Sequence, residues 1–233
     1  MVYQENATRV SPDFVVRIEN PIESATSYEK AITIISESEC IEGIADMQQI
    51  FQETFPNPDT VCVIPILRGG SRIGKELEES YSPGVINSVP MQMSYYDEYN
   101  ERMEKPVCIK EPDIEKIISM KDIVFAEAVV DSQATIQEAM KHIKDQIDAY
   151  NAETGKHIPY PTFHTFALVS KVNGSTEIPN LVAMFAVHPS IWVHGWGCDN
   201  GQEGREKDCI EGMLAPNAME IPQMPYFRRL FQR

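Results

Sequence analysis

The chain has 233 residues, enough for one large or two small domains around a sizeable core. Hydrophobic residues make up 42% and charged residues 24%, so disorder is excluded as the default state. Asp and Glu number 35 against 20 Lys and Arg; the net charge of −15 argues against nucleic acid or an anionic membrane as partner, though not against a small anion held by a few residues.

Residues 1–26 are polar, with Pro12 and Pro21, and read as an irregular arm. Ile41, Ile44, Met47, Phe51 and Phe55 recur at helical steps and predict a helix over 40–55, ended by Pro56 and Pro58. Val61 to Leu67 is an almost continuous apolar run, which suits a strand buried on both faces of a parallel sheet. Pro65 has no N–H to donate, so that strand is expected to end near it. Arg68-Gly69-Gly70 reads as a turn, and Ile73, Leu77 and Tyr81 mark a short helix beyond it. Residues 84–94 predict another strand, 95–112 a long charged mobile loop, and 123–130 a second buried strand. Asp131 to Thr135 leads into a helix with Ile136, Met140, Ile143, Ile147 and Tyr150 on one face. A linker over 151–161 precedes apolar runs at 163–169, 181–187 and 191–196, and the tail beyond Arg205 reads as irregular. Strands alternating with helices predict an α/β parallel sheet, in which ligands sit at the carboxyl ends of strands.

No run approaches the ~18 apolar residues of a membrane helix. The opening MVYQENATRVSPDF has neither an apolar core nor a cleavage pattern, so a cytoplasmic protein is expected. Cys40, Cys62, Cys108, Cys198 and Cys209 form no CxxC pair, and the five histidines are scattered. That usage fits a reduced protein with no disulfide frame and no structural metal.

The segment FAEAVVDSQATI, residues 125–136, carries the chemistry. A buried strand delivers Glu127 and Asp131, and the hydroxyls of Ser132 and Thr135 follow at a helix start. Backbone N–H groups and the dipole at such a start suit a phosphate. Local chemistry alone also fits Ser132 as an ordinary cap and Asp131 as a turn residue.

As a whole the segment resembles the 5-phosphoribosyl pyrophosphate (PRPP) signature of type I phosphoribosyltransferases. Three further segments fall in compatible order: PILRGG at 65–70, Ser94-Tyr95 before an acidic stretch, and Lys171 followed by IWVHGWGCDNGQEGR at 191–205. The likeness runs over residues 60–205 and is strongest to the 6-oxopurine enzymes. It implies a parallel-sheet core over 58–190, with a small hood built from 1–57 and from the base-binding segment and tail, 191–233.

The resemblance implies a Mg²⁺-dependent transfer of phosphoribose from PRPP to a purine nitrogen. Glu127 and Asp131 would be catalytic, and Glu127 and Asp199 would serve Mg²⁺. Arg68, Gly69, Gly70, Ser94, Tyr95, Asp131, Ser132, Gln133, Ala134, Thr135 and Arg205 would hold PRPP. Lys171, Trp192 and Val193 would hold the base, the lysine facing a 6-oxo group. It also implies a cis Leu67–Arg68 peptide and a homodimer or higher homo-oligomer, with no nucleic acid or membrane partner.

Two positions depart from the signature. Ala128 stands where a second acid is usual, which predicts weaker ribose contact, by ~1–3 kcal/mol for a missing ionic hydrogen bond. Gln133 stands where glycine is usual, which predicts a harder turn. They keep two other readings open: a uracil or other nucleobase enzyme, and a catalytically weak regulator with the same fold.

Overall fold

The computed structural model describes residues 32–96, 102–171, 177–187, 191–198, 207–214 and 227–228. The predicted arm over 1–26 lies outside them. In chain order the elements are β1 (Ile32–Ile35), α1 (Glu37–Thr54), β2 (Val61–Leu67), α2 (Ser71–Glu79), β3 (Asn87–Ser88), β4 (Met91–Tyr96) and β5 (Arg102–Lys110). There follow α3 (Ile114–Ile117), β6 (Asp122–Val130), α4 (Ala134–Thr154), β7 (Thr162–Ser170), β8 (Leu181–Ala186), β9 (Ile191–His194), β10 (Ile210–Leu214) and β11 (Phe227–Arg228).

The central sheet runs β11-β8-β7-β6-β2-β4-β5, with β3 also paired to β2. Its inner pairs are parallel, and only the outer pairs β4–β5 and β8–β11 are antiparallel. Period-two alternation divides β2 between the faces. Val61 and Val63 join a cluster with Ile44, Met47 and Phe51 of α1 and Ile73 and Leu77 of α2. Cys62, Ile64 and Ile66 join another with Ile136, Ile143 and Ile147 of α4. Helices cover both faces of the inner strands, which is why β2 and most of β6 read as nearly continuous apolar runs. A smaller antiparallel sheet, β1-β10-β9, packs on the first cluster through Ile35, Val193 and Ile210. No helix among the described residues is long and apolar enough to cross a membrane.

Several elements differ from expectation. Helix α1 begins earlier, at a capping box: the Ser36 hydroxyl accepts from Glu39 N–H, and the Glu39 carboxylate accepts from Ser36 N–H at 2.9 Å. Strand β2 continues through Pro65. Along one edge it pairs with β3 at Cys62 and Val63 and with β4 from Ile66, so Pro65 falls where the partners change. Helix α4 reaches Thr154 before Gly155 turns it off in the left-handed region at φ 69°. The expected loop over 95–112 is largely β5, returning antiparallel to β4. It is an edge strand, where Pro106 and charged side chains are tolerated. The tail beyond Arg205 is not wholly irregular: β10 pairs with β1 and β9, and β11 with β8. Helix α1 packs on the central sheet, while β1 before it belongs to the smaller one.

Candidate active site

Polar residues gather at the carboxyl ends of β2, β4, β6 and β7. Register explains the central contact. Val130 of β6 pairs with Ser170 of β7, so Asp131 and Lys171 leave the sheet side by side. Lys171 N–H donates to Val130 C=O at 2.8 Å, and Lys171 Nζ meets Asp131 Oδ2 at 2.6 Å. The lysine side chain is only 6% exposed and the aspartate 58%. A buried ammonium needs such a partner, and this contact ties the two loops together.

Glu127 lies four residues before Asp131, on β6. Its Oε1 accepts from Ala128 N–H at 2.9 Å and sits over Gly69, where an added Cβ would approach it to 2.7 Å. Part of Glu127 remains open to solvent, yet lost hydration around its carboxyl pushes it up to about 8, opposed by the Ala128 and Val129 amides. The group is therefore largely protonated at neutral pH. The thiol of Cys198 is held far above its ordinary range by burial and then by the Glu127 charge, which disfavours its reactive thiolate form.

The turn Arg68-Gly69-Gly70 follows a cis Leu67–Arg68 peptide, as the resemblance implied. Gly70 N–H donates to Ile66 C=O at 2.7 Å, and a Cβ on Gly70 would lie 1.9 Å from Ala126 C=O. No side chain fits there. Gly70→Ala should cost at least about 1–3 kcal/mol, read as a lower urea midpoint.

A second turn closes over the first. Gly195, Trp196 and Gly197 all have positive φ, and a Cβ on Gly197 would come within 2.6 Å of Gly69 C=O. Trp196 is held there by its Nε1–H donating to Asp208 C=O at 2.5 Å and by the Arg72 guanidinium 3.5 Å over its ring. Position 197 lies in the G-W-G run, the one sequence signal for this approach. Tyr95 of β4 reaches the turn before α4, its hydroxyl 3.4 Å from that of Ser132. Ser94 instead folds on its own strand, donating to Tyr96 C=O at 2.8 Å.

No protein-family model matches the chain, and no curated protein matches its sequence. Solved structures do match its fold. A hypoxanthine-guanine phosphoribosyltransferase of Bacillus anthracis is 19% identical, aligns over 78% of this chain and 97% of its own, and superposes at a TM-score of 0.56. A hypoxanthine phosphoribosyltransferase of Staphylococcus aureus is 15% identical over 79% and 91%, at a TM-score of 0.58. An HPRT with alanine at an invariant aspartic acid covers 83% of this chain and 99% of its own at 15% identity and a TM-score of 0.56.

The chain has the type I phosphoribosyltransferase fold.

Within that fold the two departures acquire physical content. Ala128 is 1% exposed and belongs to the core cluster with Trp196 and Cys198. Its methyl lies 3.8 Å from the Cβ that Gly69 or Gly197 would carry, so it is packed between the two glycine turns. Gln133 takes the left-handed conformation at φ 63° that glycine would take freely. Its side chain compensates: Oε1 accepts from the backbone N–H groups of Glu177 and Ile178, at 2.8 and 3.2 Å. Gln137 Nε2 donates to the Glu177 carboxylate at 2.7 Å. The loop before α4 is thus tied to the segment before β8, a contact that no local pattern announces. Gln133→Ala should be less stable than Gln133→Gly by about 1 kcal/mol, because alanine keeps the left-handed strain; paired denaturation curves check this.

The structure thus gathers Arg68, Gly69, Gly70, Ser94, Tyr95, Glu127, Asp131, Ser132, Gln133, Ala134, Thr135 and Lys171 at one end of the sheet. Trp192 and Val193 stand in β9 of the smaller sheet, paired with Met213 and Gly212, and Val193 is buried. Asp199 and Arg205 lie outside the described residues.

Proposed function

We propose that the protein transfers the 5-phosphoribosyl group of PRPP to N9 of a 6-oxopurine (hypoxanthine, guanine or xanthine) and releases pyrophosphate, as a step of purine salvage. The observation that carries this reading is the Lys171–Asp131 pair, 2.6 Å apart with the lysine buried, at the carboxyl ends of adjacent parallel strands. A cation and a carboxylate so placed can address the two polar edges of one oxopurine. Lys171 donates to the 6-oxo group and would repel the exocyclic amine of adenine. Asp131 accepts the proton the base loses as N9 bonds to C1′ and the C1′–pyrophosphate bond breaks.

The remaining residues position PRPP. Backbone N–H groups over 132–135 meet the 5′-phosphate, with the hydroxyls of Ser132 and Thr135 beside them. Arg68, Gly69 and Arg205 meet the pyrophosphate. Tyr95, already against Ser132, belongs to the strand pair that closes over the sugar. Glu127 takes the ribose hydroxyls, and Trp192 and Val193 line the base. Positioning and charge stabilisation of an oxocarbenium-like centre supply most of the rate.

Mg²⁺ suits this donor set, because it prefers hard oxygen ligands. Glu127, whose carboxyl a nearby cation would ionise, and Asp199 would hold it. Bound, the ion offsets the charge of the pyrophosphate. A cytoplasmic homo-oligomer belongs to the same reading.

A second reading, a catalytically weak regulator, draws on Ala128, whose buried methyl leaves the ribose one acid fewer. One assay separates the readings: protein, PRPP and Mg²⁺ with each of hypoxanthine, guanine, xanthine, adenine and uracil, following nucleotide and pyrophosphate by chromatography. Nucleotide from the oxopurines alone is expected. Product from uracil would replace the substrate assignment, and PRPP binding without turnover for every base would favour the regulator.

A further inference from the structure

Strand β5 and helix α4 meet well along the chain from the turns described above. Lys105 of β5 pairs with Glu138 of α4 at 3.2 Å. Beyond that pair lies a mixed cluster. Cys108 is on β5, half-buried, and Glu111 just follows the strand. His142 and Gln146 stand four residues apart on α4 and so share one helix face. A sulfur of Cys108, a carboxylate oxygen of Glu111 and a ring nitrogen of His142 all lie within 4.8 Å of one another.

An ordinary ion pair accounts for part of this. His142 Nε2 and Glu111 Oε2 are 2.5 Å apart, and Gln146 Nε2 donates to the same oxygen at 2.5 Å. It does not account for the rest. The thiol sulfur lies within 4.8 Å of both other ligand atoms while donating to Lys110 C=O at 3.2 Å. The amide oxygen of Gln146 is buried with no hydrogen-bond partner. Three ligand atoms of different kinds thus lie together, with an unsatisfied amide beside them, as a cation site would need.

We propose that Cys108, Glu111 and His142 form a binding site for a zinc-class divalent cation, with Gln146 holding the Glu111 carboxylate in place. Thiolate with imidazole selects this class over Mg²⁺ or Ca²⁺. Bond lengths of about 2.0–2.3 Å put the ligand atoms of a tetrahedral Zn²⁺ site roughly 3.3–3.8 Å apart. Here the histidine–glutamate contact opens slightly and the sulfur moves in, which side-chain rotation achieves. Three protein ligands leave the fourth place to water or to the orphan amide oxygen. The ion would fasten β5, and with it the β4–β5 hairpin that carries Tyr95, to α4. The site does not rest on the phosphoribosyl reading. It also runs against the sequence expectation of no structural metal, since neither C-x₂-E nor H-x₃-Q is a usual zinc spacing.

The test uses the full chain, stripped of metal under reducing conditions. Zn²⁺ is titrated against a chromophoric chelator, and Co²⁺ is added separately as a spectroscopic probe. One equivalent of Zn²⁺ is expected, and Co²⁺ should give a near-ultraviolet thiolate charge-transfer band with the visible bands of a four-coordinate site. Cys108→Ser should abolish that band, Cys108→Ser and His142→Ala should each weaken Zn²⁺ about 100-fold, and Gln146→Ala about 10-fold. Cys209→Ser should change nothing. All four side chains are at least partly exposed, so circular dichroism should show folded variants; if Cys108→Ser fails to fold, His142→Ala decides. Absence of stoichiometric binding, or binding that survives Cys108→Ser or His142→Ala unchanged, overturns the site.

Discussion

Asp131→Asn should lower nucleotide formation by about 10²–10⁴-fold, the usual worth of a positioned proton acceptor, while PRPP affinity stays nearly constant. Asparagine keeps the shape of the side chain, and its oxygen can still accept from Lys171 Nζ, now 2.6 Å from the carboxylate. The turn into α4 is therefore preserved. What disappears is the capacity to take a proton from the base. Asp131 is 58% exposed, so screening limits what its charge adds to folding, and the effect belongs in kcat. Lys171, at 6% exposure, then faces a neutral partner, and a modest fall in Tm accompanies the kinetic loss. Steady-state kinetics with PRPP and hypoxanthine varied separately check the split between kcat and KM. An unchanged kcat would remove Asp131 from the chemistry.

Glu127→Gln should do the opposite to stability and the same to activity. The carboxyl of Glu127 titrates at about 8 in the fold against an ordinary 4.5, chiefly because burial disfavours its charged form. Between those values the native state holds a proton that the unfolded chain has released. Stability from this group is thus complete below pH 4.5 and is lost as pH rises through 8. Glutamine cannot ionise, so the variant escapes that loss. Across a pH series its Tm should equal the wild type at acid pH and exceed it above pH 8, by roughly 2–4 °C for each kcal/mol of relieved cost. Adding PRPP with Mg²⁺ should reverse the order, since a cation and ribose hydroxyls favour the ionised acid. The variant should therefore gain less Tm from PRPP and turn over more slowly. Parallel pH profiles for the two proteins would show that Glu127 is not the titrating group.

What the sequence alone determined was the frame of the site. Val61–Leu67 and, apart from Glu127, Ile123–Val130 are apolar because both faces of their strands are covered, and each runs straight into a polar turn. Strand, turn and helix are encoded within a dozen neighbouring residues, so Arg68-Gly69-Gly70 and Asp131 to Thr135 were legible, whereas the cis peptide after Leu67 was implied only by the family resemblance. Edge elements were not. β5 carries charges and Pro106 because, among the described residues, it forms the edge of the sheet, and β10 and β11 are strands only by virtue of distant partners. The same limit hid the side-chain contacts that matter most. Lys171 meets Asp131 across 40 residues of chain, Gln133 caps amides 44 and 45 residues on, and Cys108 and Glu111 meet His142 only because α4 folds back along β5. Periodicity reports how a residue relates to its own element; sheet register and helix packing decide which elements touch, and only the folded chain settles those.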